Sequence, residues 1–404
     1  MNNYINNNNT NGDIKYNLET YRLCAPIETW NKIKNKMEII KVKSIERIDN
    51  LDRIGIPVYC AIREVEYNGE ISLKYHYGKG ATNIQGKVSS CMEAIERHGM
   101  AKPNETPYNN PDNPINLKDL VLSKEAYKNL NNINNNLNSI NWVSGEDIIN
   151  NEIVDVPLEC VCHPTEGKLF SSNTNGIASG NSKEEAIFHS TLELIERDGW
   201  SVAELLNKTH TKINIDNAKN PFIHQLMEKF KEANVNIILK DLTTEIGIPV
   251  IAAICDEPVL KDPALLCIGV GCHINPEIAT IRALTEVIQS RATQIQNKRP
   301  DTVRGEIVRK VNYDRMIRIH KKWYSYKDEV SIEDLPDNSK LNIKKDMEFI
   351  KDKLFNCGFD KLIVSDLTKK EVGINVVRTT IPKLEVYCMD RNRISPYIRQ
   401  RNKN

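Results

Sequence analysis

The chain has 404 residues, 40% of them hydrophobic, and 55 Lys plus Arg stand against 54 Asp plus Glu. That length is ample for a large buried core, and the near-neutral balance argues against general attraction to nucleic acid and against an acidic tail. No apolar run approaches a membrane span, and the Asn-rich opening MNNYINNNN lacks the apolar core of a signal peptide. A cytoplasmic protein is expected, bound to neither membrane nor nucleic acid, with residues 1–14 disordered.

Residues 15–37 give a short polar lead-in, where Lys15 and Arg22 read by default as surface charge, and then a helix opening near Pro26. Residues 54–77 read as a hairpin, two β-rich runs joined across Asn68-Gly69. The sequence GKGATN (78–83) then enters a helix capped by Thr82, on which Ser89, Glu93, Glu96 and Arg97 share a polar side. A Walker loop, GxxxxGK followed by Ser or Thr, occurs nowhere in the chain.

Residues 102–141 are rich in Asn and Pro, with one helix expected around 123–137, and a second strand pair is expected around CVCHPTEGKLF (160–170). The stretch NTNGIASGNSKEEAIFHSTLELIERDGW (173–200) reads as a polar glycine loop running into an amphipathic helix. Ser182 stands at the N-cap, and Glu185 three residues on closes a capping box. Glu185, His189, Glu193 and Glu196 share one face, while Ile187, Leu192, Leu194 and Ile195 supply the apolar side. Glu193 and Glu196 place two carboxylates one turn apart, with Arg197 beside them. Crowded carboxylates repel unless a cation neutralises them, and magnesium, with its preference for hard oxygen ligands, suits them.

For a lone helix, a solvated charged face is the ordinary reading. Here the pattern recurs. Thr82, Ser182 and Asn275 each stand at a cap, with Pro276 at the N1 position that proline favours. Eleven residues after each cap comes Glu93, Glu193 or Glu286, and three further on Glu96, Glu196 or Gln289. Glycines precede all three caps and leave the helix N-termini open for anions. GIPV at 55–58, DVPL at 155–158, GIPV at 247–250 and GINV at 373–376 precede or echo these segments, and residues 237–250 resemble 362–376. We read four related helix–strand units, the first three completed by a second strand and a glycine-loop helix, the fourth ending before it. A period of about 100 residues is too long for a solenoid. Duplicated units sharing one core, with their carboxylate faces converging on a common site, fit better.

Residues 297–345 are charged and broken by prolines, which reads as a solvated connector, and residues 391–404 form a basic tail without order signals. The ten cysteines include no CxxC and read as free buried thiols; the histidines lack metal-ligand spacing.

Three segments together carry a family resemblance. SSCMEAIER (89–97), NTNGIASGNSKEEAIFHSTLELIERD (173–198) and RALTEVIQSR (282–291) resemble the nucleotide-site motifs of the YcaO superfamily, and the GIPV strands and VRTTIPKLE (377–385) resemble its flanking segments. The resemblance implies an α/β (α+β) fold of duplicated helix and strand units. In it, three glycine-loop-to-helix elements converge on one nucleotide site within a single catalytic domain over 15–390. It implies an enzyme that uses ATP and Mg2+ to phosphorylate the oxygen of a peptide backbone amide, after which a nucleophile replaces that oxygen. The carried-over metal ligands are Glu93, Glu96, Glu193 and Glu196; Glu185 is a nucleotide-site candidate as well as a capping residue. Ser89, Asn181, Arg282, Glu286 and Gln289 match positions expected near the nucleotide. Arg97 and Arg197 either bind phosphate or pair with the glutamates, Lys15 and Arg22 complete the nucleotide-binding candidates, and no further catalytic group is assigned. Arg291 lies on the opposite side of its helix from Arg282, Glu286 and Gln289.

The last residues given, SPYIRQRNKN, differ from the proline-rich PxPxP ending of azoline-forming members, and no fused leader-binding domain is expected within these 404 residues. Both features resemble stand-alone archaeal members that work with a TfuA partner to install a thioamide on a backbone glycine of methyl-coenzyme M reductase. The expected partners are a TfuA-like protein, a protein or peptide substrate and a sulfide donor; a homodimer is compatible with the sequence. Two other functions compete: an azoline-forming cyclodehydratase, and a non-enzymatic accessory factor for ribosomal-protein methylthiolation.

Overall fold

The computed structural model describes residues 12–67, 69–298 and 303–401. The expected disorder of residues 1–11 and the turn residue Asn68 lie outside the described residues, as do 402–404 of the basic tail. Residues 13 and 14 are paired, Asp13 bridging Asn342 and the Ile14 N–H donating to the Leu341 carbonyl at 2.9 Å.

The helices are α1 (Pro26–Ile33), α2 (Asn83–Gly99), α3 (Lys124–Lys128), α4 (Leu130–Asn134), α5 (Lys183–Leu206), α6 (Pro221–Glu232), α7 (Pro276–Gln296), α8 (Val303–Arg309), α9 (Tyr313–Ile319), α10 (Lys321–Tyr324) and α11 (Ile343–Asn356). The strands are β1 (Val42–Arg47), β2 (Val58–Tyr67), β3 (Glu70–Lys79), β4 (Trp142–Asp147), β5 (Glu152–Pro157), β6 (Ile177–Gly180), β7 (Thr211–Asn214), β8 (Asn236–Asp241), β9 (Val250–Asp256), β10 (Ile268–Cys272), β11 (Asp328–Ser331), β12 (Ile363–Asp366) and β13 (Asn375–Thr380). This is the mixed α/β class expected from the sequence. The chain groups into two compact units. One holds the chain up to Ala94, Asn207–Thr243 and Ile248–Asn342; the other holds Ile95–Leu206, Thr244–Gly247 and the chain from Ile343. The boundary at 94 and 95 falls inside α2.

In the first unit the sheets run β1-β2-β3 and β10-β9-β8-β7-β11. Helix α7 packs against both, and Ala279, Ala283, Leu284, Val287 and Ile288 join Val58 and Tyr77 from one sheet, Ile56 just ahead of it, and Ile251 and Ala253 from the other in a single apolar core. Burial on several sides explains why α7 shows so little polar face. In the second unit the sheet runs β5-β4-β12-β13-β6, with α5 laid on β13 and β6. There the Ser190 hydroxyl donates to the Gly176 carbonyl at 2.6 Å and shares a hydrogen bond with Thr379 at 2.5 Å.

The duplicated units are visible as antiparallel meanders, β1-β2-β3 leading into α2 and β8-β9-β10 leading into α7. The third meander differs from expectation. Strand β6 pairs with β13, not with β5, so β6 and α5 complete the fourth unit, which the sequence left unfinished. Register confirms the equivalence: Val58 faces Lys79, Val250 faces Cys272 and Val376 faces Ser179, each partner three residues before a helix cap. The loop glycines have a packing cause as well. A Cβ on Gly78 would stand 1.9 Å from the Ser90 nitrogen, and one on Gly180 2.5 Å from the Ala186 nitrogen, so each helix backbone rests directly on its strand.

Other local expectations are corrected. The second strand pair lies at β4 and β5, and 160–170 is turn and loop. The helix expected over 123–137 is two short ones, α3 and α4, broken at Asn129. The connector over 297–345 contributes β11, which extends its sheet by pairing parallel to β7. The tail is held: Arg393 donates from Nε to the Val121 carbonyl at 2.7 Å, and Arg401 pairs with Asp198 (Nη2 to Oδ2, 2.7 Å) and with Glu245 at 2.5 Å. All ten cysteines are free and seven are buried, as expected.

Lys240 on β8 is fully buried, its ammonium donating to the Thr209 carbonyl at 2.5 Å and to that of Ser325. Burial pushes its pKa from 10.5 down to about 8. Between those values the unfolded chain holds a proton that the folded chain lacks, so this group adds stability as pH rises from about 8 to 10.5. The melting temperature of Lys240→Met relative to wild type should therefore fall as pH is taken from about 7 to about 10. A difference flat across that series would show that the folded ammonium keeps its ordinary pKa.

Candidate functional site

The caps stand where the spacing put them. The Ser182 hydroxyl accepts from the Glu185 N–H at 3.1 Å, and Asn275 Oδ1 accepts from the Ile278 N–H at 3.0 Å. Glu185 is buried and departs from the capping-box geometry: its Oε1 accepts from the Asn181 backbone N–H at 3.4 Å and side-chain amide at 3.2 Å. These two candidates are therefore already joined, with a carboxylate at the mouth of α5 where the sequence left room for an anion.

Two turns along α5 lie Glu193, Glu196 and Arg197. Burial drives the Glu193 carboxyl above the usual range. Arg197 is the strongest opposing charge, Glu196 adds to the rise, and Arg97 and Arg378 oppose it more weakly. Glu196 is 3% exposed and receives Arg197 Nη2 at 3.2 Å. Arg197 Nε is buried with no hydrogen-bond partner among the described residues. Glu96, on the last part of α2, turns to the strand before α5, where its Oε1 accepts from the Ser179 N–H at 2.9 Å and hydroxyl at 2.8 Å.

In the first unit Ser89 and Glu93 sit half-buried one turn apart on α2. The lead-in segment docks at the start of that helix, Glu19 accepting from the Thr82 hydroxyl at 3.0 Å. Lys15 is exposed and touches Arg22 only through backbone, its N–H donating to the Arg22 carbonyl at 3.2 Å. Arg22 and Arg282 are both close enough to buried His273 to act on it. Burial first, then these two positive charges, hold that imidazole far below its ordinary pKa and hence neutral. The Tyr21 ring meets His273 edge-on at 4.7 Å between centroids. Glu286 forms an ion pair with Lys79 on β3, and Gln289 follows it one turn on.

Sequence reasoning missed Lys79, Ser179 and His273. The repeat register held a signal for the first two, since both stand three residues before a cap; His273 had none.

Among the described residues no three His, Cys, Asp or Glu side chains are gathered to hold a metal ion. Glu96 and Glu196 are instead turned to donors of the protein itself. The donor set still fits the implied groups. It offers only carboxylate oxygen, the hard ligand that Mg2+ takes; Glu193 carries a burial cost that a cation relieves; and the orphaned Arg197 Nε–H is a ready donor for a phosphate oxygen. Among the described residues no helix is long and apolar enough to cross a membrane.

Comparison with known proteins agrees. A family model described as YcaO cyclodehydratase, ATP- and Mg2+-binding, matches residues 77–385. An uncharacterised protein of Methanothermobacter thermautotrophicus is 41% identical over 382 residues, 93% of this chain and 97% of its own. A protein encoded in the tfuA 3′ region of Rhizobium leguminosarum bv. trifolii is 27% identical, over 90% of this chain and 89% of its own. The solved structure of YcaO from Methanopyrus kandleri bound with AMPPCP and Mg2+ superposes with a TM-score of 0.80 at 26% identity, covering 95% of this chain and 98% of that one. The chain belongs to the YcaO family of ATP- and Mg2+-dependent peptide-modifying proteins.

Proposed function

We propose that this chain catalyses ATP-dependent exchange of a peptide backbone amide oxygen for sulfur, giving a thioamide. The observation that carries the phosphoryl-transfer half is the α5 cluster, a half-buried Glu193 beside buried Glu196 with an arginine whose Nε–H lacks a partner. The sulfur half is supported by the relative encoded in the tfuA 3′ region, which makes a TfuA-like protein the proposed partner. The substrate class is a glycine-containing peptide segment, with the methyl-coenzyme M reductase glycine as the proposed target.

An amide is a poor electrophile because its nitrogen lone pair is delocalised into the carbonyl. Phosphoryl transfer from ATP to the amide oxygen converts it into a leaving group. Hydrosulfide then adds to the carbonyl carbon, and phosphate departs as the C–O bond breaks. Glycine, with no Cβ, is the least hindered backbone site for that addition. In this reading Glu93, Glu96, Glu193 and Glu196 hold Mg2+, which when bound offsets charge on the transferred phosphoryl group. Glu96 and Glu196 exchange their present donors, Ser179 and Arg197, for the metal. Arg97 and Arg197 take phosphate oxygens; Ser89, Asn181, Glu185, Arg282, Glu286 and Gln289 surround the nucleotide; and Lys15 and Arg22 close the site from the lead-in segment.

Purified protein with a TfuA-like partner, ATP, Mg2+ and sulfide should exchange one oxygen for sulfur in a glycine-containing peptide, read by mass spectrometry. Loss of one water at a Cys, Ser or Thr, with no sulfur gained, would replace this reading by the cyclodehydratase of the family description. No ATP-dependent change in any peptide would leave the accessory-factor reading.

A further inference from the structure

The second unit contains a pocket of about 490 Å³, counting its open mouth, between the end of β13 and the segment that follows it. Its walls are largely apolar, with Phe170 and Leu194 among them, but two arginines enter it, Arg378 and Arg393. They are 7% and 5% exposed. Neither has a carboxylate at ion-pair distance among the described residues: Arg378 senses Glu193, and Arg393 senses Asp390 and Glu385, only through space. The Arg378 terminal nitrogens donate to the Asn173 carbonyl at 2.7 Å and to its Oδ1 at 3.4 Å, and Nε has no partner. Arg393 uses Nε for the Val121 carbonyl and stacks its guanidinium carbon 3.7 Å from the Phe170 ring centroid. The other ionisable groups on the walls supply no counter-charge. Lys383 is matched outside by Asp360 at 3.1 Å, and burial pushes the Cys160 thiol up to about 12, keeping it neutral.

Two buried guanidiniums that repel one another are costly unless an anion is shared between them. Burial lowers the pKa of both, that of Arg378 to about 10, which marks the same missing counter-charge. Asn175, whose side-chain oxygen is also buried without a partner, offers an N–H to the pocket when its amide is rotated. We propose that this pocket binds a small oxyanion shared by Arg378 and Arg393, supplied either as inorganic phosphate or as a carboxylate of a bound peptide. The proposal stands whatever nucleophile the enzyme uses.

The test is thermal denaturation of the full chain saturated with Mg2+ and AMPPCP, so that the nucleotide site does not take the added anion. Inorganic phosphate and N-acetylglycine are titrated separately, each against chloride at equal ionic strength. Either should raise the melting temperature saturably, and which one does identifies the source. Arg378→Gln should abolish the rise, and Arg378→Lys, which keeps charge but loses the planar fork, should weaken it about tenfold. Where circular dichroism shows Arg378→Gln unfolded, Arg393→Met carries the same expectation. No rise with either anion, or an equal rise in the folded glutamine or methionine variant, overturns the site.

Discussion

Glu193→Gln and Glu196→Gln should each lower Mg2+-dependent ATP hydrolysis by about 100-fold or more, while leaving the fold intact. Glutamine keeps the shape but removes the charge that a metal ion needs. The stability expectation differs between the two. Partial burial of Glu193 disfavours its ionised form, and Glu196 adds to that cost, so Glu193→Gln should melt no lower than wild type. Glu196→Gln takes from Arg197 a partner 3.2 Å away and should melt slightly lower. Coupled-assay hydrolysis and melts with and without Mg2+ read both effects. Wild-type turnover in both variants would remove these residues from the metal site.

Arg291→Met should cost the first unit about 3–5 kcal/mol, the usual consequence of stripping one partner from a buried ionic group. Arg291 is fully buried; its Nε and Nη2 grip Asp52 at 2.7 and 3.0 Å, and Nη1 meets Glu257 at 3.0 Å. Arg53 reaches the other Glu257 oxygen at 2.6 Å, but Asp52 has no second cation at ion-pair distance among the described residues to take the place of Arg291. The melting temperature should drop by roughly 10 °C. Arg291→Lys should recover only part of it, because an ammonium cannot fork onto one carboxylate and reach a second. A loss below about 1 kcal/mol, seen by calorimetry, would show the pair to be screened like a surface bridge.

What could be read from the sequence was local. A cap, a carboxylate eleven residues on and another one turn later are consequences of helix geometry within one segment, so α5 and α7 start where their spacing predicts. The GIPV echo correctly marked equivalent strands, because Val58, Val250 and Val376 occupy one register position. It failed for DVPL, since β5 shares a sequence flavour with them but ends at Pro157 instead of beginning there. The partner of β6 was illegible for a different reason: β13 lies almost 200 residues away, and pairing at that distance leaves no periodic trace. The basic tail misled because composition sees arginine as solvent-loving. Arg401 is instead the counter-charge of Asp198, whose burial pushes its carboxyl upward against the pull of that guanidinium. His273, Arg378 and Arg393 follow no spacing in their segments that marks them out, and only the folded chain gives them neighbours.

The strand order of the second unit also governs how the chain must be made. Strands β4 and β6 leave the ribosome early, yet the two strands that belong between them begin only at Ile363 and Asn375, the first of them 183 positions past Gly180. At cellular elongation rates that gap lasts about 10–40 s. Throughout it the nascent chain carries two unpaired strand edges, each a template for sticking to another chain. Those edges are paired once β13 has emerged, but the ion pair of Arg401 with Asp198 forms later still. A translation product stopped a few residues short of that arginine would have all thirteen strands and every residue of the α5 cluster, and would still leave a buried aspartate on the site-bearing helix without its ion-pair partner.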